Sequence, residues 1–315
     1  MRDKLYLVSF LLISGALLYL GRDVIRGSVL VAWGLTFGGT AAAAILIVAL
    51  YRFRVELRES RLELARKDAE IGFALKVQQA LFPRAFPSGK DLDFAAICMP
   101  ARGISGDYYD AFQMPDGTVT FAIADVSGKG IPAAILMASL QALLRAVSMQ
   151  GAGPDQVCKQ LNDHLCQLSQ ASQFATLFYA RWDPTTRMLR YVNAGHNPPF
   201  RVNGAELELL TSGGIPLGML PGSQYETGEV CLHVGDLIVL YSDGITEAGQ
   251  NEGRDFGEER LKSLATAVRN LPLPDIQARI MGSVRAWTNN EPEDDMTLVL
   301  VRALGSSSGS AGEEI

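Results

Sequence analysis

Two long apolar stretches open the chain, and short apolar runs separated by turn signals follow them. Residues 5–21 and 29–51 contain no charged residue, and each is close to the roughly 20 residues that a helix needs to cross a bilayer. Basic residues lie before the first stretch and after the second. The positive-inside rule therefore predicts a transmembrane helical hairpin in residues 1–51 of an inner-membrane protein, with both of its ends in the cytoplasm.

Other interpretations of this segment are weaker. A secretory signal peptide in residues 1–21 would need a small-residue cleavage site, and none follows the apolar run. A buried hairpin of a soluble protein is disfavoured, because the second run is too long for an ordinary core helix. Gly34, Gly38 and Ala42 recur every fourth residue and suit a homodimer through this face. Small residues are also common in membrane helices without such contacts, so both interpretations stay open.

Residues 52–83 are predicted to form a helical linker. They are rich in charged residues and good helix formers, and Pro83 closes the run. Leu57, Leu64 and Ile71 are seven residues apart, but the complementary row of positions is charged. A coiled coil and a solvated single helix are therefore both compatible with the pattern.

The remaining chain, residues 84–304, alternates strand and helix patterns. Strands are predicted at 93–99, 107–112, 118–124, 174–182, 188–193, 200–202, 207–210, 236–241 and 296–301, and helices at 131–149, 154–168, 257–269 and 274–288. Mostly antiparallel strands with helices grouped after them indicate an α+β fold, a sandwich of sheets covered by helices. Residues 305–315 are rich in glycine and serine and are predicted to be a disordered tail.

Composition narrows the chemistry. The net charge of −6 argues against nucleic acid as a partner. The four cysteines include no CxxC pair, which favours free thiols in a reducing compartment over a zinc site or a disulfide framework. Only three histidines occur, so oxygen atoms are the expected ligands of any bound metal.

Aspartates stand where predicted strands begin or end. Asp125, Asp243 and Asp294 each lie beside turn residues at such a point, and Asp107 and Asp110 begin the strand that pairs with the Asp125 strand. Carboxylates gathered at one sheet edge would repel one another unless a cation neutralised them, and Mg²⁺ or Mn²⁺ prefers such oxygen ligands. For any single aspartate, a turn or helix-cap role is the commoner use.

Five motifs in a fixed order carry a family resemblance. They are Ser-Gly-Asp-Tyr-Tyr-Asp at 105–110, Asp-Val-Ser-Gly-Lys-Gly-Ile-Pro-Ala-Ala at 125–134, Asn-Ala-Gly-His-Asn-Pro-Pro at 193–199, Tyr-Ser-Asp-Gly-Ile-Thr-Glu-Ala at 241–248 and Asp-Asp-Met-Thr-Leu at 294–298. The series resembles the bacterial sporulation-protein-E type of the metal-dependent protein phosphatase 2C (PPM) family. Residues 78–83 resemble the helix that leads into the domain in the same group, and the match covers about residues 70–303.

The resemblance implies a PPM-type β-sandwich flanked by helices, with two Mn²⁺ or Mg²⁺ ions. By motif, Asp125 would bridge both ions, the carbonyl of Val126 would complete one site, Asp243 and Asp294 would hold the first ion, and Asp107 would serve the second. Asp295 is the less certain member of its pair, and Asp110 is assigned to structure or to a supporting layer. Ser127 stands where eukaryotic relatives have a candidate general acid, which leaves Lys129 and His196 as alternatives.

The predicted function is therefore a membrane-anchored serine/threonine protein phosphatase. Its implied substrate is a phosphoserine or phosphothreonine of a cytoplasmic regulatory protein, such as an anti-sigma-factor antagonist, and a water activated by two metal ions would hydrolyse it. The alternative is a signalling scaffold that uses the phosphatase fold to bind partners without catalysis.

Overall fold

The computed structural model describes residues 12–16, 19, 21–22, 29–87, 91–101, 103–168, 173–250, 253–288 and 294–305. Most of the first predicted membrane span, the connection of the hairpin and residues 306–315 of the predicted tail lie outside these residues. The contacts divide the chain into two units, Met1–Ala69 and Glu70–Ile315. The second unit thus begins inside the predicted linker, close to residue 70, where the family resemblance begins.

The first unit is dominated by helix α1, Val29–Gln79, which continues into the second unit. The sequence suggests two elements that meet at residue 51, but the structure has one continuous helix. The physical reason is that polarity changes there while helix propensity does not, since alanine, leucine, arginine and glutamate surround the junction. The apolar part of α1 is long enough to cross a membrane, whereas a second span is not confirmed.

The second unit contains five further helices and eleven strands among its described residues. The helices are α2 Ile131–Ser148, α3 Pro154–Leu168, α4 Asp243–Thr246, α5 Glu258–Val268 and α6 Leu273–Trp287. The strands are β1 Leu92–Met99, β2 Tyr108–Gln113, β3 Val119–Val126, β4 Ala175–Trp182, β5 Met188–Ala194, β6 Phe200–Asn203, β7 Glu206–Leu209, β8 Gly213–Gly214, β9 Gly228–Cys231, β10 Leu237–Tyr241 and β11 Met296–Ala303.

The strands form two sheets. The first sheet has the order β1-β11-β10-β6-β7, and the second has the order β2-β3-β4-β5-β8 with β9 paired to β5. One core cluster lies between the sheets, a second packs the β2–β5 sheet on α2 and α3, and a third packs the other sheet on α5 and α6. The predicted α+β sandwich covered by helices is therefore confirmed.

Strand β3 shows how the layers arise from the sequence. Side chains alternate across a strand, so Phe121 and Ile123 face the other sheet while Ala122 and Ala124 face α2. The helix side carries small residues, and α2 packs on it through Leu140 and its neighbours. Helix α2 is also apolar enough to pass for a membrane span, but this packing makes it a core helix of the domain.

The predicted elements of this unit are all present with ends within two residues of their predicted positions. The elements that the periodicity misses are β8, β9 and α4, which are four residues or shorter. Such short elements show no readable hydrophobic period. Strands β8 and β9 form by pairing with β5, and α4 forms in the turn after β10.

Candidate active site

Asp107 and Asp125 lie opposite each other at one end of the second sheet. Asp107 directly precedes β2, and the pairing of Tyr108 with Ala124 places it across from Asp125 near the end of β3. Asp125 is in phase with Phe121 and Ile123, whose side chains face the other sheet. Its carboxylate is therefore on the inner face of the sandwich, close to the end of β3.

Asp243 and Asp294 occupy the matching end of the first sheet. Asp243 is the first residue of α4 and lies two residues after the end of β10, and Asp294 lies two residues before β11. The backbone N–H of Ser242 donates to the carbonyl of Thr297 at 3.0 Å, and the N–H of Thr297 donates to the Ser242 hydroxyl at 2.9 Å. These bonds extend the pairing of β10 and β11 up to the two aspartates. Both sheets therefore contribute carboxylates to one end of the sandwich.

The carboxylates are close enough to change one another's protonation. Burial raises the pKa of Asp125 to about 7, and the charges of Asp243 and Asp294 act in the same direction. Burial raises the pKa of Asp107 well above its usual range, and the charge of Asp125 adds to the effect. Burial and the charge of Asp294 likewise raise the pKa of Asp243. Positive charge beside Asp107, Asp125 and Asp243 would therefore favour their ionised forms.

Asp107 and its surroundings offer oxygen ligands that suit a cation. The Oδ2 atom of Asp107 is buried and has no hydrogen-bond partner among the described residues. Gly106 lets the backbone before Asp107 approach two other oxygen atoms closely, because a Cβ there would lie 3.0 Å from the Val126 carbonyl oxygen and 3.3 Å from Asp125 Oδ1. Within the described ranges, no three acidic, histidine or cysteine side chains stand in the ready-made geometry of a metal centre. The donor chemistry nevertheless suits Mn²⁺ or Mg²⁺.

The neighbouring aspartates 294 and 295 have different surroundings. Asp295 accepts the backbone N–H of Ala101 and that of Gly106, both at 2.8 Å, so its carboxylate fixes the loop in front of Asp107. Asp294 accepts a hydrogen bond of 2.7 Å from the ammonium group of Lys129, and its side chain is half exposed. This difference favours Asp294 as the ligand of the pair and gives Asp295 a supporting role.

Asp110 lies in a buried network of hydrogen bonds. Its side chain is 0% exposed and accepts two hydrogen bonds from Arg145, at 2.7 and 2.8 Å, and one from the Tyr108 hydroxyl at 2.6 Å. The guanidinium group also lies over the Phe112 ring, 5.1 Å from its centroid. The sequence pattern does not single out Arg145, because an arginine in an apolar helix is ordinary until its partner on β2 is known.

His196 is a poor candidate for a general acid in this arrangement. It is buried, its Nδ1 atom lies 2.8 Å from the Thr176 hydroxyl, and burial lowers its pKa to about 4. Its backbone N–H donates to the Asn193 side chain at 2.8 Å, which fixes the turn. Ser127 is also structural, because its hydroxyl accepts the Phe174 N–H at 2.8 Å. Of the two candidates from the sequence, only Lys129 is exposed at the site.

Gln78 is a second residue whose importance the sequence pattern does not show. Its side-chain amide is buried, donates to the Ser105 carbonyl at 2.6 Å and accepts the Ser105 N–H at 3.0 Å. The Ser105 hydroxyl then accepts the Asp107 N–H at 3.0 Å. The last turn of α1 therefore fixes the backbone that presents Asp107.

Similar proteins identify the family of this chain. The family model described as Stage II sporulation protein E (SpoIIE) matches residues 115–304. The chain belongs to the SpoIIE family. It is 34% identical over 236 residues to phosphoserine phosphatase RsbU of Bacillus subtilis (strain 168), covering 74% of this chain and 70% of that protein. It is 30% identical over 204 residues to phosphoserine phosphatase RsbP of the same organism, covering 63% of this chain and 49% of that protein.

Solved structures of SpoIIE-type and PP2C domains share the fold. The SiaA-PP2C domain of Pseudomonas aeruginosa aligns with a TM-score of 0.68 at 19% identity, over 77% of this chain and 98% of that one. The RsbU and RsbW domains of Rv1364c from Mycobacterium tuberculosis align with a TM-score of 0.62 at 26% identity, over 70% and 62% of the respective chains. The family resemblance and the enzyme class, a protein serine/threonine phosphatase, are confirmed, and the scaffold alternative is not retained.

Proposed function

We propose that this SpoIIE-family phosphatase is a membrane-anchored enzyme that uses two Mn²⁺ or Mg²⁺ ions to hydrolyse a phosphoserine or phosphothreonine of a cytoplasmic regulatory protein. The observation that carries the proposal is the meeting of four aspartates from two sheets at one end of the sandwich. Burial raises the pKa of Asp125, the charges of Asp243 and Asp294 add to the effect, and divalent cations bound between the carboxylates would offset both costs.

Each side chain has a distinct part in this proposal. Asp125 is on the face of its sheet that points to the other sheet, and it would contact both ions. The Val126 carbonyl beside Gly106 would complete one site. Asp243 and Asp294 would hold the first ion, and Asp107, with its unpartnered Oδ2, would hold the second. When bound, the ions supply an activated water and neutralise the charge that develops on the phosphoryl group. The chain's own contribution is to hold the carboxylates still through Asp295, Ser242 and Gln78.

The partner is proposed from the relatives. RsbU and RsbP of B. subtilis are named phosphoserine phosphatases, and the M. tuberculosis structure contains RsbU and RsbW domains in one protein. The proposed substrate is therefore a phosphorylated regulatory protein of a signalling pathway. The more specific proposal is that this protein is an anti-sigma-factor antagonist.

Removing divalent metal should abolish the activity. We expect the full-length chain in detergent to release phosphate from a phosphothreonine peptide only with Mn²⁺ or Mg²⁺, because the site's oxygen ligands alone offer no strong electrophile. Phosphate release is measured before and after treatment with a chelator and again after Mn²⁺ is restored. Full activity in the chelator would contradict the proposal, whereas recovery on adding Mn²⁺ rules out denaturation as the cause of the loss.

We also propose that the apolar part of α1 crosses the membrane as one arm of a two-span hairpin and pairs with a second copy of itself. A Cβ added at Gly34 or Gly38 would meet no atom of the described residues within 4 Å, so this face has room for a partner helix. Gly38→Ile should weaken self-association of the membrane segment by at least severalfold, since a branched side chain keeps two helices apart. A membrane reporter of helix association measures this, with Thr40→Ile on the opposite side of the helix as the control, and equal association of both variants would exclude this face.

A further inference from the structure

Lys129 lies in an unusual position for an exposed lysine. Its ammonium group is 2.7 Å from Asp294 Oδ2, although the two residues are 165 positions apart in the sequence. Gly128 and Gly130, with φ values of 101° and 74°, flank it in a backbone conformation that other residues rarely adopt. The loop between β3 and α2 is thus shaped to direct this side chain back over the aspartates.

The contact places a positive charge among carboxylates that repel one another. Burial and the charge of Asp294 raise the pKa of Asp243, and the Lys129 charge acts in the opposite direction. The side chains of Lys129 and Asp294 are 56% and 47% exposed, so the contact is open to water and to ions arriving from solution. An exposed pair of this kind is weak and can be exchanged for a stronger cation.

We propose that Lys129 is an internal counter-ion that occupies the Asp294 carboxylate before metal binds and that a divalent ion must displace. The inference rests on the proposed function, because it assigns Asp294 to a divalent ion. It differs from a general-acid role, which concerns the leaving group and makes no statement about metal affinity. In this arrangement the lysine reduces carboxylate repulsion in the metal-free fold and sets how tightly the site takes up metal.

Calorimetric titration of the full-length chain in detergent with Mn²⁺ tests the inference directly. Lys129→Met should bind Mn²⁺ about threefold more tightly than the wild type, because no ammonium group has to leave Asp294. Lys129→Arg keeps the charge and should bind like the wild type. Thermal unfolding gives a second measure: without metal, Lys129→Met should melt lower than the wild type, and saturating Mn²⁺ should raise its midpoint by more.

The matched control is Lys159→Met, which removes one positive charge from an exposed position on α3. It should leave Mn²⁺ affinity unchanged, because a distant surface charge is screened by salt. Equal or weaker binding by Lys129→Met, or an equal gain in Lys159→Met, would overturn the counter-ion role while leaving the metal site in place. Absence of Mn²⁺ binding by the wild type would instead contradict the proposed function, so the two failures are distinguishable.

Discussion

Replacing Asp125 by Asn should lower metal-dependent phosphate release by about a thousandfold or more, the scale on which a preorganised charge at a reacting centre acts. Burial raises the pKa of Asp125 and the charges of Asp243 and Asp294 add to the effect, and Asp125 lies across the β2–β3 pair from Asp107. An amide at this position offers one neutral oxygen where two ions would need a bridging carboxylate. The expected loss is therefore in turnover and in Mn²⁺ binding together.

The fold should tolerate this change. The pKa of Asp125 is raised to about 7 in the metal-free chain, mainly because burial opposes its charge, so a neutral side chain of the same shape removes an unfavourable interaction. We expect the thermal midpoint without metal to stay the same or to rise. Asp275→Asn, at an exposed position in the first turn of α6, is the matched control and should keep full activity. Undiminished turnover in Asp125→Asn would remove the central residue from the mechanism.

Much of this site can be predicted from the sequence because each motif combines a strand end with a turn. The buried run before Asp125 and the glycines after it place the carboxylate at a sheet edge, and the β10 run does the same for Asp243. The family resemblance then supplies the assignment of roles. What pattern alone cannot give is the choice between Asp294 and Asp295, because adjacent residues in a loop have no period that orients them.

The residues that the sequence does not reveal are those whose partners are distant along the chain. Gln78 is 27 positions from Ser105, and Arg145 is 35 positions from Asp110. A glutamine in a charged helix and an arginine in an apolar one have ordinary explanations until the tertiary contact is known. The continuous α1 helix was not predicted for a different reason. The change of polarity at residue 51 suggests an element boundary, but the backbone stays helical through it.

Arg145→Ala should destabilise the second unit by about 2 kcal/mol, below the roughly 3–5 kcal/mol typical of a broken buried ion pair, because the Arg145 side chain is 41% exposed. The Asp110 carboxylate would remain in the core with only the Tyr108 hydroxyl and the Ala111 N–H as donors. For a domain of this size the thermal midpoint should fall by about 6 °C. Thermal unfolding of the full-length chain, followed by circular dichroism, measures the shift.

Two variants separate the buried charge from the loss of a side chain. Arg190→Ala removes an arginine from an exposed pair with Glu229 and should change stability by less than about 0.5 kcal/mol. Asp110→Asn combined with Arg145→Met removes both charges and should recover part of the loss, because no unpaired charge stays buried. A double variant as unstable as Arg145→Ala would show that packing on Phe112, rather than the charge of Asp110, joins α2 to β2.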